Sequence, residues 1–229
     1  ASKALNFSTQ KTMRLAQQLY EGVEVKGHGT IGLITYLRTD STRVAEEADA
    51  AARVYISANY GEAYVAQVEN QKKNGAKIQD AHEAIRPTDI ALTPAKVKDS
   101  LQRDLFRLYQ LIWKRFTASR MQPALYHTLS VKVEAKGPAQ KETEPKCYEF
   151  TLSASKLAFD GFMSVYVQDE EKEESNALLG KLEKGMSLRL GELRNSQHFT
   201  QPPAHYTEAS LVKVLEEQGI GRPSTYAPT

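Results

Sequence analysis

The spacing of the apolar residues changes at Met121-Gln122-Pro123 and changes back near Gln201. Before the first switch, Leu101, Leu105, Leu108, Ile112 and Phe116 recur every three or four residues, which is the stripe of an amphipathic helix. After it, "HTLSVKVEA" alternates Leu129, Val131 and Val133 with polar residues. "CYEFTLSA" does the same with Tyr148, Phe150 and Leu152, and "GMSLRLGEL" with Met186, Leu188 and Leu190. A period of two belongs to half-buried antiparallel strands. A helix-period segment does not serve as a strand, so the chain must join a helical part to a β part. The expected fold class is multidomain α+β. A helical domain spans 1–121, a β-rich domain 122–200, and the start of a further helical domain 201–229. No internal repeat is present.

Punctuation marks the helices. In "FSTQKTMRLAQQLYEG", Ser8 is placed to cap, Met13, Ala16 and Leu19 or Tyr20 lie at helical spacing, and Gly22 is a stop. "RVAEEADAAARVYISANYG" is alanine-rich, with acids crowding its first turns and Gly61 closing it. "TPAKVKDSL" offers Thr93 as a cap and Pro94 at the first helical position. Near the C-terminus Thr207 is a cap, Leu211, Val212 and Leu215 form a stripe, and Gly219 ends it. "KGPAQKETEPK" and "QDEEKEESN" are charged turn material, expected to form mobile tips between the strands. The chain starts at Ala1 without a Met and ends just after a turn signal, which predicts a piece of a longer polypeptide.

Composition excludes some chemistries. The 229 residues are 41% hydrophobic and 25% charged, ordinary for a globular protein. With a net charge of +2, any nucleic-acid site has to be local. Cys147 is the only cysteine, so disulfides and Cys-rich zinc sites within the chain are out. A lone thiol suits a reducing compartment, and neither a signal peptide nor a membrane-spanning apolar run is present, so a cytosolic location is expected.

Three stretches carry chemistry. In "GLITYLRTDST" (32–42), Tyr36 is either one more aromatic in a buried strand or a nucleophile. Residues i and i+2 of an extended stretch share a face, which would put Arg38 beside it. A forked, permanently charged guanidinium suits a phosphate. Asp40-Ser41-Thr42 reads as a cap that would bring backbone N–H groups nearby. A phenol with a pKa of about 10 attacks poorly unless its charge is stabilised, and a neighbouring arginine can do that. In "DAHEAIRPTD" (80–89), the residue four after His82 is Arg86, not His, so a zinc-protease site fails. Either Glu83 and Arg86 form a solvated i,i+3 pair on a helix turn, or His82 and Arg86 donate to a phosphate backbone. In "GIGRPSTY" (219–226), Arg222, Ser224 and Thr225 with two glycines form either a plain interhelix loop or an anion-binding turn. "GHGTIG" (27–32) is a loop but not a phosphate loop, because no Gly-Lys-Ser/Thr follows. Arg103, Arg107, Lys114, Arg115 and Arg120 read as a solvated face or an electrostatic track for a strand.

Four stretches in this order, "FSTQKTMRLAQQLYEG", "GLITYLRTDST", "AHEAIRPTD" and "PPAHYTEASLVKVLEEQGIGRPSTY", together resemble the type IA DNA topoisomerases. "HEAIRPT" is similar to the bacterial topoisomerase I branch. The resemblance implies a helical domain carrying the catalytic tyrosine and a β-rich hinge domain of the family's arch. Tyr36 matches the nucleophile that cleaves single-stranded DNA through a 5′-phosphotyrosine, and Arg38 the arginine that assists. His82 and Arg86 match positions near the bound strand, and Arg222, Ser224 and Thr225 a substrate-contacting loop. The implied activity relaxes negatively supercoiled DNA without ATP.

The resemblance also implies Mg²⁺ held by a Toprim domain that this sequence lacks, along with most of the fourth domain and the C-terminal DNA-binding region. The isolated chain is therefore expected to be inactive, with no metal site of its own. A monomer in the cytoplasm, at the nucleoid, is the implied state. The alternative, from another class, is a non-catalytic single-strand-binding or domain-docking module that uses Tyr36 to stack on bases.

Overall fold

A computed structural model describes residues 1–67, 82–137, 146–166, 182–222 and 225. The expected tips at 138–145 and within 167–181 lie outside the described residues, as does Ser224. The chain divides into two compact units: Ala1–Gln122 with Pro202–Thr229, and Pro123–Gln201.

The first unit is helical, built where the punctuation predicts. A short helix α1 (Ser2–Leu5) ends at Asn6, which adopts the left-handed conformation at φ 56°. Helix α2 (Thr9–Glu21) is capped by Ser8, whose Oγ accepts from the Lys11 N–H at 3.2 Å, and it stops at Gly22. It buries Leu15, Ala16 and Leu19.

The glycine-rich stretch that follows is more ordered than a loop. Strands β1 (Val23–Val25) and β2 (Gly29–Ile31) pair as a hairpin. Gly27 and Gly29 supply the positive φ of its turn. Helix α3 (Glu46–Tyr60) closes at Gly61 and carries Glu46, Glu47 and Asp49 in its first turn, where the helix dipole favours acids.

The expected helix after Thr93 is broken in two. Helix α4 (Pro94–Val97) runs into a single tight turn, Lys98–Ser100, and Leu101 is extended. The long helix α5 (Arg103–Ser119) starts beyond it. Helix α6 (Glu208–Glu217) has a reciprocal cap between Thr207 and Ser210, and its apolar stripe is only partly covered.

The core of this unit lies between α2, α4 and α5. Leu19, Leu33, Ile34, Val25, Ile56, Val97 and Tyr109 are almost fully buried. Polar tips inside the core are satisfied, as burial requires: the Tyr109 hydroxyl donates to the Leu92 carbonyl at 2.6 Å, and the Trp113 indole N–H to the Ile90 carbonyl at 3.0 Å. An ion pair of 2.5 Å between Lys11 and Asp104 joins α2 to α5. Arg120, read from sequence as decorating a polar face, instead reaches Asp49 of α3 at 3.1 Å. Asp49 also accepts from Arg53 at 2.6 Å.

The second unit contains strands β3 (Leu125–Lys136) and β4 (Cys147–Phe159), an antiparallel pair with Val131 opposite Leu152 and Val133 opposite Phe150. The alternation predicted antiparallel strands at these two places. Burial differs from the expectation, because Leu129, Tyr148, Phe150 and Leu152 are exposed. A two-stranded ribbon has one apolar face, and among the described residues no second layer covers it. The third predicted strand, around Met186, Leu188 and Leu190, is not formed. A strand exists only through a partner for its N–H and C=O groups, and this segment has none in the two-stranded sheet.

Candidate active site

Tyr36 lies on a segment fixed from both sides by backbone hydrogen bonds. On one side the Leu33 N–H donates to the Leu19 carbonyl at 2.7 Å, satisfying one of the orphan carbonyls at the end of α2. Gly32 makes that approach possible. A Cβ added there would sit 2.6 Å from the Tyr20 carbonyl oxygen.

On the other side the segment pairs with the chain around Arg86. The Thr35 N–H donates to the Arg86 carbonyl at 2.9 Å, and the Thr88 N–H to the Leu33 carbonyl at 3.0 Å. Ile34 and Pro87 form an antiparallel bridge. The Thr35 hydroxyl donates to the Ala84 carbonyl at 2.8 Å and accepts from the Arg86 N–H at 3.0 Å.

The staple does not bury Tyr36 with its neighbours. Leu33, Ile34 and Leu37 are buried, whereas Tyr36 is 39% exposed. Its ring is stacked on His82, with centroids 5.4 Å apart and planes at 23°. Tyr20, from the last turn of α2, meets it at 5.5 Å and 71°. Both separations are those of favourable aromatic pairs. Tyr20 enters the site unannounced, since in sequence it is one of two residues that could continue the α2 stripe.

Arg38 is exposed like Tyr36, with buried Leu37 between them, and the chain bends at Leu37 and Arg38. The expected cap at Asp40-Ser41-Thr42 is not the start of a helix. The hydroxyls there build local turns, Thr39 accepting from the Ser41 N–H and Ser41 from the Arg43 N–H. Helix α3 begins only at Glu46. The Ala45 N–H in front of it is taken by the Glu83 carboxylate, 38 residues further on, at 3.2 Å.

His82 to Arg86 is not a helix turn, and its ion pair is not solvated. The Arg86 Nε and Nη2 grip Glu83 Oε2 and Oε1 at 2.9 and 3.0 Å, and Nη1 donates to the Pro87 carbonyl at 2.9 Å. The Arg86 side chain is 12% exposed. Burial alone would push the Glu83 carboxyl up. The hydrogen bonds from Arg86 and Ala45 and the charges of Arg86 and Arg43 outweigh it, holding Glu83 below its ordinary value.

That shift has a sign. A carboxyl titrating lower in the folded than in the unfolded state adds stability in full above the unfolded value, about 4.3 for Glu. The contribution is lost as pH falls through the lower, folded value. The Tm difference between the wild type and Glu83→Gln should therefore be constant from about pH 7 to 5 and shrink below about pH 4. A difference that does not change with pH in a thermal-melt series would refute the linkage.

The C-terminal turn brings together two of its three expected residues. The Arg222 N–H donates to the Thr225 hydroxyl at 3.0 Å, and the Thr225 N–H donates to the Arg222 carbonyl at 2.8 Å. Gly219 and Gly221 take positive φ just before it. Among the described residues, no three His, Cys, Asp or Glu side chains gather as metal ligands, and no helix is long and apolar enough to cross a membrane.

Comparison with known proteins gives the same answer for fold and for sequence. The chain superposes on the full-length topoisomerase I of Thermotoga maritima with a TM-score of 0.70 and 38% sequence identity. The match covers 100% of this chain and 34% of that one, so the chain spans about a third of that relative's length. A family model described as DNA topoisomerase matches residues 1–229. By sequence along its whole length and by fold, the chain belongs to the DNA topoisomerase family, in its bacterial type IA branch.

Proposed function

We propose that Tyr36 is the nucleophile of a type IA topoisomerase reaction on single-stranded DNA. The observation that carries this reading is the exposed Tyr36 ring on a segment whose apolar neighbours are buried and whose backbone is bonded on both sides. A reacting group must be presented to substrate and yet held still. In the step, the phenol oxygen bonds to phosphorus as the P–O3′ bond breaks. The proton lost by the phenol is matched by the one gained by the 3′ oxygen. One phosphodiester replaces another, so ATP is not needed. The 5′ side stays on the protein while another strand passes, and reversal reseals the nick. Relaxation of negatively supercoiled DNA follows.

Arg38 stabilises the charge that develops on the phosphoryl oxygens. His82 and the Arg222–Thr225 turn hold the strand, Ser224 belonging to the same loop. The acidic side chains of the described residues do not fit a Mg²⁺ site. We place the metal on the Toprim portion of the enzyme, and no step above is routed through it. Base stacking by Tyr36 is the weaker reading, because His82 already lies against the ring.

The test uses a 3′-end-labelled single-stranded oligonucleotide with Mg²⁺, mixed with this chain alone or with a separately made Toprim domain. SDS stops the reaction. Label is expected on protein only when both are present, mapped to Tyr36. Arg38→Ala should slow adduct formation more than it weakens binding. A labelled peptide without Tyr36 would overturn the assignment.

A further inference from the structure

The sequence leaves Arg86 either paired with Glu83 or donating to the DNA backbone beside His82. The geometry gives its guanidinium the first of these roles. A phosphate contact should present free N–H groups to solvent, as an extended cation on the surface does. Arg86 instead lies largely buried, with Nε and Nη2 forked onto both oxygens of Glu83 and Nη1 on the Pro87 carbonyl. Parallel N–H···O pairs of this kind are strong and orientation-specific.

Glu83 is the node of the arrangement. The same Oε2 that accepts from Arg86 Nε also accepts from the Ala45 N–H, at the start of α3. The Ala84 N–H donates to the Arg43 carbonyl at 2.7 Å. Together these bonds tie residues 83–87 to the entry of α3. The Thr35–Arg86 and Thr88–Leu33 bonds tie Arg86 and Thr88, at the end of that stretch, to the Tyr36 segment. His82, stacked on Tyr36, is the residue next to Glu83. The fork thus sits where the start of α3, the His82 segment and the Tyr36 segment meet.

We propose that Glu83 and Arg86 are a pair of positioning residues that set the His82 ring against Tyr36, and that Arg86 does not contact the DNA phosphates. The proposal rests on the reading of Tyr36 as nucleophile, but its first readout does not. A side chain that neutralises a phosphate contributes to the salt dependence of binding. Removing one such contact lowers the slope of log Kobs against log[salt] by about 0.7 for a single strand. A positioning residue leaves that slope alone.

The experiment measures binding of a fluorescent single-stranded oligonucleotide by the intact enzyme across a salt series, and then adduct formation at saturating DNA. The variants are Arg86→Gln, Arg86→Lys, Glu83→Gln and the Glu83→Gln/Arg86→Gln double. The slope should match the wild type in all four. Adduct formation should fall about ten- to a hundredfold in each, since a small misplacement of a reacting group is enough for that. Arg86→Lys should not rescue, because an ammonium keeps the charge but cannot make the fork. The double variant should lose no more than the worse single, the mark of residues acting as one unit.

A slope lower by about 0.7 in Arg86→Gln, restored by Arg86→Lys, would make Arg86 a phosphate contact and overturn the proposal. So would undiminished adduct formation in all four variants. A thermal melt accompanies each variant. If Arg86→Gln does not fold, Arg86→Lys and Glu83→Gln, which change fewer atoms, decide. If the wild-type adduct maps elsewhere than Tyr36, the nucleophile reading fails while the slope still decides whether Arg86 touches phosphate.

Discussion

Replacing Tyr36 by Phe is expected to abolish covalent protein–DNA adducts in the intact enzyme and leave single-strand binding within about threefold of the wild type. The substitution removes one oxygen and keeps the ring. The contacts the ring makes, His82 at 5.4 Å and Tyr20 at 5.5 Å, do not depend on the hydroxyl. The segment is held by the backbone bonds of Leu33 and Thr35, which the substitution leaves in place. Folding should therefore be unaffected, and the loss should be confined to chemistry. Tyr20, whose ring meets Tyr36 at 5.5 Å from the end of α2, is the control for a substitute phenol, and Tyr20→Phe should leave adduct formation in place. The alternative role, stacking on bases, predicts no loss of activity at all, since phenylalanine stacks as well as tyrosine. An SDS-trapped adduct and a relaxation assay on the variant decide. Retained relaxation would remove Tyr36 from the reaction.

Gly32→Ala is the second large effect, and it acts through the backbone. The new Cβ would lie 2.6 Å from the Tyr20 carbonyl oxygen, whereas ordinary contact begins near 3.4 Å. The end of α2 and the Tyr36 segment would have to part by about 0.8 Å. That motion pulls on the 2.7 Å bond between Leu33 and Leu19 and on the Thr88 hydroxyl, which donates to the Gly32 carbonyl at 2.8 Å. Overpacking of this kind typically costs about 1–3 kcal/mol of stability. A displacement of about an ångström at a reacting group can cost about a hundredfold in rate. Both should appear together, as a lowered Tm and slower adduct formation, in a variant that alters no side chain of the site. Gly32→Ala with the Tm and rate of the wild type would show that the close approach does not govern the geometry of Tyr36.

The helices were legible because their signals are local. Ser8, Gly22, Gly61 and Thr207 each mark a boundary within a residue or two of where it falls. The strands β3 and β4 were legible for the same reason, through alternation. What the sequence concealed depends on partners distant along the chain. Glu83 reads as one half of an i,i+3 pair, and nothing local says that it also receives the N–H of Ala45. Arg86 reads as an available cation until its fork is seen. Tyr20 reads as stripe material because its meeting with Tyr36 depends on the hairpin between them. The segment around Leu188 has the period of a strand, yet alternation describes only which faces a strand would have, not whether an edge is there to receive it. Of the candidate site, the sequence named Tyr36 and His82, whose rings the fold brings together, but not the backbone staple and the Glu83–Arg86 fork around them.

The staple that holds Tyr36 joins residues 51 positions apart, Thr35 and Arg86, with all of α3 between them. Loops of that size must be closed before their bonds return any enthalpy, and such closure comes at an entropic cost that local helices do not bear. The ring pair of Tyr36 and His82 therefore belongs to the late, nonlocal part of folding. The helices can form while the two rings are still apart. A partly opened chain would keep its local helices and lose the Tyr36–His82 pair, so the site's geometry is a property of the finished fold alone.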